Sequence, residues 1–455
     1  MFSRVLIANR GEIACRIIRA CRSLGLNTVA VCSEADALSL HAQQADQSVV
    51  IGPAAPRDSY LDIERLLAAA RDTGAEAVHP GYGFLAENAG FARAVVEAGL
   101  TWIGPDAQTI ADMGNKNKAR SLAAAAGVPV VPGSSAVGVS DLAAMAAAAD
   151  SVGYPLLIKA AAGGGGIGMQ RVDSSGTLSA AAVRTRDLAK RYFGDGAVYL
   201  ERLVPVARHV EVQVLGDGTG HAVHLFERDC SMQRRFQKII EESPAPALSP
   251  ATRAGMLESA VRLAAAQRYK GPGTVEFIVD AGTQEYFFLE MNTRIQVEHP
   301  VTEMVTGLDI VALQLRIANG EPLSMAQADV ALEGHALECR LYAEDPKAGF
   351  RPSTGTLRRL VLPNPSSSVR IDTGYREGDT ITPYYDPMIA KLIVHAPSRG
   401  AALSLMARSL AFTQIEGVKT NLGFLRRAVA HPKFASAEVH TRFAEAAPEL
   451  TGEEA

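Results

Sequence analysis

Residues 290–300, Glu-Met-Asn-Thr-Arg-Ile-Gln-Val-Glu-His-Pro, set acids, amides and an arginine on alternate positions. In an extended chain alternate side chains share a face, so Glu290, Asn292, Arg294, Gln296 and Glu298 line up while Met291, Thr293, Ile295 and Val297 point the other way. The preceding run Thr274–Asp280 reads as a strand that turns at Gly282 and folds back against Tyr286–Glu290. With the hairpin centred near Thr283, Glu276 sits opposite Glu290 and Thr274 opposite Asn292; a slip of one residue puts the two acids on opposite faces. Two carboxylates about 4 Å apart repel by roughly 4 kcal/mol at an effective dielectric of about 20. One cross-strand pair supplies only roughly 0.2–1 kcal/mol. A cation is therefore expected between them, and Mg²⁺ (or Mn²⁺) suits the oxygen donors of Glu276, Glu290 and Asn292. The alternative, an acidic solvated face, fits poorly beside Phe287, Phe288, Leu289 and Met291.

A second cluster points to phosphate. The apolar run Tyr154–Ile158 ends in Lys159 and meets Gly163, Gly164, Gly165 and Gly166, then Ile167 and Gly168. Glycines let backbone N–H groups turn toward phosphate oxygens, and a lysine beside them neutralises charge. A glycine run alone also suits a hinge or linker, but this one is clamped between an apolar strand and the return Met169–Val172. It lacks the Walker A pattern, and a strand rather than a helix is expected to follow, which excludes a dinucleotide fingerprint.

These groups need elements to carry them. Strand signals at Arg4–Ala8, Asn27–Cys32, Ser48–Ile51, Ala77–His79 and Thr101–Ile103 alternate with amphipathic helices, the order of a doubly wound, mostly parallel sheet. Two glycine turns fall at strand ends, where such sheets bind ligands: Asn9–Glu12 and His79–Phe84. The latter reads equally as a tight turn before a helix near Glu87. Further on, Val210–Leu215 alternates cleanly and turns at Gly216–Gly218, giving a hairpin. The segment 227–238 carries four cations; Arg228, Arg234 and Arg235 read as partners of surface acids, whereas Lys238 borders the apolar Ile239–Ile240 and belongs in a site.

At 455 residues the chain implies about three domains. Forty-seven per cent apolar and 21% charged residues are ordinary for a soluble globular protein. A net charge of −4 offers no electrostatic case for nucleic acid or an anionic membrane as main partner. Five cysteines without C-x-x-C spacing suggest reduced thiols in a cytoplasmic protein, neither zinc nor disulfides. No signal sequence and no membrane-spanning apolar run is expected.

Taken together, these motifs resemble the biotin carboxylase family, the ATP-grasp component of acyl-CoA carboxylases. The resemblance runs from Ile7–Ala14 to Gly417–Asn421 and rests on His79–Leu85 with Glu87–Asn88, Glu227–Ser231 and Glu290–His299. It implies a multidomain α/β and α+β fold: a Rossmann-like domain over 1–114, an ATP-grasp lid with the glycine loop over 115–204, and over 205–455 the ATP-grasp core and a β-rich C-terminal domain. The implied reaction joins bicarbonate to ATP, giving carboxyphosphate and ADP, then carboxylates the ureido nitrogen of biotin, the first half-reaction of acetyl-CoA or acyl-CoA carboxylation in fatty acid biosynthesis. By resemblance, Lys116 and Lys159 hold phosphates under the loop Gly163–Gly168, Glu201 and the Val204 backbone reach the adenine, and His209 and Gln233 face the ribose. Glu276, Glu290 and Asn292 carry Mg²⁺. Lys238, Arg294, the Val297 backbone and Glu298 hold bicarbonate, with Glu298 as base; Arg340 pairs with carboxyphosphate and then the biotin enolate, and Tyr82 packs on biotin.

On the residues alone, His209 reads as a half-buried histidine of the Val210 strand, Arg340 as a partner of Glu338 or Glu344, Tyr82 as core, and Tyr384–Asp386 as structural. Three positions depart from the family pattern: Phe236 for a histidine, Ile167 for a basic residue and Arg202 for a lysine. No Met-Lys-Met sequence is present, so biotin is expected on a separate biotin carboxyl carrier protein, with a carboxyltransferase partner supplying acyl-CoA specificity. Arg16 and Arg19 match positions used at the family's homodimer contact, although exposed helix cations are commonly just solvated. The rival readings are another ATP-grasp carboxylate–amine ligase, which has no need of the Arg294, Glu298 and Arg340 set, and a non-catalytic nucleotide-binding regulator.

Overall fold

The computed structural model describes residues 1–134, 142–160, 169–193 and 196–452. The chain divides into two compact units, one formed by 1–128, 208–277 and 290–455, the other by 129–207 and 278–289. The larger unit opens with five strands, β1 (Arg4–Ile7), β2 (Asn27–Cys32), β3 (Gln47–Val50), β4 (Ala77–His79) and β5 (Thr101–Trp102). They form one sheet in the order β3-β2-β1-β4-β5, parallel throughout. Val5, Leu6 and Ile7 are all buried because helices cover both faces, which is why β1 reads as an unbroken apolar run. The strand positions match the sequence expectation to within a residue.

The two glycine turns meet at the carboxyl ends of β1 and β4. Asn9 donates its amide to the carbonyls of Pro80 at 2.7 Å and Tyr82 at 2.8 Å. Gly81 makes this approach possible: its φ is +64°, and a Cβ there would lie 2.9 Å from Asn9 Nδ2. Gly11 opens helix α1 (Gly11–Ser23), which turns Glu12 and Arg16 into the protein.

In the smaller unit, β6 (Leu156–Ala160), β7 (Met169–Val172) and β8 (Val198–Arg202) form an antiparallel sheet in the order β7-β6-β8. Helices Leu142–Val152 and Ser175–Phe193 supply its core, with Met145, Leu178, Leu156 and Leu200 buried. A strand does follow the glycine run. Gly163, Gly164, Gly165, Gly166, Ile167 and Gly168 themselves lie outside the described residues.

The site-bearing sheet has eight strands. Those named here are β9 (Ala207–Asp217), β10 (Ala222–Arg234), β11 (Gln237–Ser243), β12 (Lys270–Asp280), β13 (Tyr286–Asn292) and β14 (His335–Tyr342). Their order is β13-β12-β9-β10-β11-β14, followed by the strands Met388–Ala396 and Val369–Thr373. The loop between β12 and β13 is centred on Thr283, as the sequence suggests. The expected alternation past Asn292 does not hold: β13 ends there, and 293–298 bend into the helix His299–Thr306, capped at Glu298 and carrying Pro300 in its first turn. All five cysteines are buried and unpaired. Among the described residues no helix is long and apolar enough to cross a membrane.

Gly81→Ala is expected to destabilise the protein by about 1–3 kcal/mol, because alanine must adopt a left-handed backbone and displace Asn9. Urea denaturation should show a lower midpoint at an unchanged m-value; an unchanged midpoint means the Asn9 amide moves aside freely.

Candidate active site

Lys238 on β11 is the meeting point of three buried acids from three other elements. Its ammonium lies 2.5 Å from Glu211 on β9, 2.7 Å from Glu276 on β12 and 2.6 Å from Glu298 at the helix cap. Burial works against the lysine charge, but Glu211, Glu276 and Glu298 outweigh it and hold the ammonium well above its ordinary range. The reciprocal effect falls on Glu298. Despite its burial, Lys238, Arg340 and Arg228 hold its carboxyl far below the usual range, so it is ionised.

Glu276 is the most heavily contacted acid. Its Oε1 accepts from Asn292 at 2.9 Å and Gln296 at 3.0 Å, and its Oε2 lies 3.0 Å from His209 Nε2. The positive charge expected beside Glu276 is thus present already in Lys238, and His209, though burial opposes it, is pushed up by Glu276. Glu290 is different: half-buried, it is pushed up by burial and by the charge of Glu276, with Lys116 opposing. Glu276, Glu290 and Asn292 therefore offer hard oxygen donors and an under-neutralised carboxyl, a set that suits Mg²⁺.

Arg340 on β14 closes the other side. Its Nη2 lies 2.9 Å from Glu298 Oε2 and 2.6 Å from Glu241 Oε1. Its partners are therefore Glu298 and Glu241, not Glu338 or Glu344; Glu344 instead takes Arg234. Across from Arg340, fully buried Lys391 donates to the Val297 carbonyl at 2.8 Å and lies 3.1 Å from Glu12. Arg294 reaches Glu87 at 2.9 Å and Asn292 at 3.1 Å. Bending after Asn292 thus replaces strand alternation, yet Asn292, Arg294, Gln296 and Glu298 still converge.

Gln233 sits 2.9 Å from His209 Nδ1 and donates to the Cys230 carbonyl at 2.8 Å. Lys116 is exposed at the start of helix Lys116–Ala125. Tyr82 is half-buried against the core around Ile13 and Ile17, with its hydroxyl on Glu12. In the smaller unit, Lys159 is ion-paired with Glu201 across β6 and β8, and Val204 is buried with Val131 and Phe287. Tyr385 stacks under Arg10, 4.2 Å from guanidinium carbon to ring centroid, and Asp386 feels the charge of Arg340.

Three cationic expectations need correction. Arg234 is buried, and its partner Glu344 is a buried acid rather than a surface one. Arg228 is no surface partner: it is wholly buried, bonded to Glu211 at 2.6 Å, Gln213 at 2.8 Å and Thr302 at 2.9 Å. Arg16 is likewise buried, against Glu303 at 2.8 Å and Asp309 at 2.6 Å, whereas Arg19 is half-exposed and reaches Asp372 at 2.9 Å. Sequence reasoning also missed Glu211, Glu241 and Lys391, and offered Glu338 only as a partner of Arg340. A charge inside an otherwise apolar strand was the available signal, plainest in Ile389-Ala390-Lys391-Leu392-Ile393.

Family descriptions cover nearly the whole chain: "Biotin carboxylase, N-terminal domain" over 1–110, "Carbamoyl-phosphate synthase L chain, ATP binding domain" over 115–326 and "Biotin carboxylase C-terminal domain" over 338–446. The chain belongs to the biotin carboxylase family of ATP-grasp ligases, which carboxylate biotin with bicarbonate using ATP and Mg²⁺. It is 49% identical over 443 residues to the biotin carboxylase of Halalkalibacterium halodurans, covering 97% of each chain. It is 50% identical over 441 residues to the alpha subunit of rat mitochondrial methylcrotonoyl-CoA carboxylase, spanning 97% of this chain but only 61% of that subunit. Among solved structures, the biotin carboxylase domain dimer of the Hydrogenobacter thermophilus 2-oxoglutarate carboxylase, in complex with MgADP, ADP and bicarbonate, matches at TM-score 0.88 and 44% identity, covering 100% of this chain and 99% of that one.

Arg228→Met should destabilise the protein by about 3–5 kcal/mol, because it leaves Glu211 buried beside a lost partner. A thermal melt reads it; a melting temperature unchanged from wild type would mean that Lys238 alone satisfies Glu211.

Proposed function

We propose that this chain performs the first half-reaction of an acyl-CoA carboxylase, with biotin delivered on a carrier protein and the acyl-CoA handled by a carboxyltransferase partner. The observation that carries the residue assignment is the clamp on Glu298, ionised between Lys238 and Arg340 at 2.6 and 2.9 Å. A bicarbonate ion placed among Lys238, Arg294 and Arg340 is held by three cations, and Arg340 offers a planar donor fork to it. As the anion draws these charges away, the carboxylate of Glu298 gains proton affinity and takes the bicarbonate proton, freeing the oxygen that attacks the γ-phosphorus as its bond to the bridging oxygen breaks and ADP leaves. The other requirements are neutralisation and alignment of the phosphates.

In this reading Lys116, Lys159 and the glycines Gly163, Gly164, Gly165, Gly166 and Gly168 bind phosphates, and Glu201 and Val204 meet the adenine. His209 and Gln233, held together by their own hydrogen bond, face the ribose. Glu276, Glu290 and Asn292 would hold Mg²⁺, which supplies charge neutralisation at the phosphates. Arg340 then stabilises the ureido oxyanion of biotin beside Tyr82, and Lys391, by gripping the Val297 carbonyl, orients the segment that presents Glu298. The proposal includes a lid carrying the glycine loop over 115–204, flanked by 1–114 and 205–455, and a cytoplasmic homodimer, supported by the dimer described for the Hydrogenobacter domain.

Glu298→Gln should keep ATP binding within about twofold and abolish bicarbonate-dependent ATP hydrolysis, since only the proton acceptor is lost. Calorimetry with a non-hydrolysable nucleotide and a coupled ADP assay read the two quantities; retained turnover removes Glu298 as the base. Hydrolysis stimulated by an amine instead of bicarbonate would favour the other ligase reading, and nucleotide binding without turnover the regulator.

Phe236 is 85% exposed at the two-residue turn joining β10 and β11, with φ values of 48° at Arg235 and 64° at Phe236. Such turns favour Asn and Gly, so packing does not explain the phenylalanine. Phe236→His is expected to shift the Michaelis constant for ATP or free biotin by at least about twofold, the size of a modest hydrogen-bond change; no shift in either makes the position a spectator.

A further inference from the structure

Glu241 on β11 and Glu338 on β14 stand directly opposite one another in antiparallel register, and both are 0% exposed. Like charges so placed repel, and burial removes the water that would screen them. The positive charge at hand does not cover both. Arg340 lies 2.6 Å from Glu241, but the same nitrogen is also 2.9 Å from Glu298. Lys391 is engaged by the Val297 carbonyl and Glu12. Neither oxygen of Glu338 has a hydrogen-bond partner among the described residues. A buried carboxylate ion without a donor is far less favourable than the neutral acid.

We propose that Glu241 and Glu338 share a single proton and act as a positioning pair for Arg340. With one proton the pair places one negative charge rather than two beneath the guanidinium, so that less of the charge Arg340 can offer an anionic substrate is neutralised in advance. The groups facing the pair agree. Glu241 is pushed up to about 7, by burial first, with Arg340 opposing and Glu298 adding to the rise. Glu338 is pushed well above its ordinary range, again by burial, with Lys391 opposing and Glu241 adding. Lys238 also faces Glu241, and the buried Cys230, Cys339 and Tyr342 are pushed up and stay neutral. The second ionisation belongs to the pair rather than to either residue.

The sign follows. Below neutrality the proton is held; as pH rises through the pair's second ionisation it leaves, and a second anion competes with substrate for Arg340. Activity toward bicarbonate then falls on the alkaline side. This rests on the assignment of Arg340 to the reacting anions, so the test separates the two. Glu338→Gln keeps a hydrogen-bearing group opposite Glu241 and removes one ionisation. The alkaline limb of kcat/KM for bicarbonate should move up by roughly one pH unit or more relative to wild type. Independently of activity, difference infrared spectra of the wild-type protein should show a protonated carboxyl below neutral pH that disappears on raising the pH, and that Glu338→Gln lacks. An unmoved alkaline limb, or no protonated carboxyl in the wild type, overturns the shared proton. If Glu338→Gln fails to fold, the wild-type infrared titration decides alone. Wild-type protein with no bicarbonate-dependent turnover at any pH overturns the Arg340 assignment, while the infrared signal still tests the pair.

Discussion

A single buried ammonium makes the rest of the site possible. Glu211, Glu276 and Glu298 arrive on three separate elements and are all buried, and Lys238 is within 2.7 Å of each. Without that cation three carboxylates would share a desolvated volume, an arrangement whose repulsion no sheet hydrogen bonding can offset. With it, each acid acquires its own state. Glu298 and Glu276 are held down as ions, while Glu211 is raised by burial despite Lys238 and Arg228. One residue thereby holds neighbouring carboxylates in different states, the condition under which nearby acids can divide roles.

The sheet carries this arrangement laterally. Arg340 faces Lys391 across one strand pair, Lys391 faces Asp372 across the next, and Glu338 faces Glu241 on the other side of β14. Like charges meet at two of these steps: Arg340 and Lys391 are relieved by Glu241, Glu298 and Glu12 beside them, whereas the Glu241–Glu338 step is where the shared proton falls. Behind this row, Arg16 and Arg370 converge on Glu303 at 2.8 and 2.6 Å and tie α1 to the helix that follows Glu298. Buried ion pairs of this kind contribute little net stability, since desolvation cancels most of the attraction. They do fix where each charged group can stand.

Substantial parts of this protein were legible from sequence. The parallel strands of the N-terminal domain could be read because burial on both faces leaves an unbroken apolar signature, as in Val5-Leu6-Ile7. The hairpin bearing Glu276 and Glu290 could be read from alternation around Gly282 and Thr283. Lys238 was singled out by its position beside Ile239 and Ile240. Less legible was the path after Asn292, where a helix cap and Pro300 turn the chain out of the sheet; the convergence of Arg294, Gln296 and Glu298 survived, but for a reason other than strand periodicity.

Sequence by itself determined which groups are present and which local elements carry them, because periodicity, glycine placement and charge beside apolar runs are properties of neighbours in the chain. Only the tertiary structure decided which charges meet. Arg228 reads as a surface cation yet is wholly buried against Glu211, and Arg340 chooses Glu241 and Glu298 over the acids near it in sequence. Those pairings join separate elements, 17 residues apart in the chain for Arg228 and Glu211 and 42 for Arg340 and Glu298, and their strength comes from the exclusion of water, which no single segment of chain achieves alone.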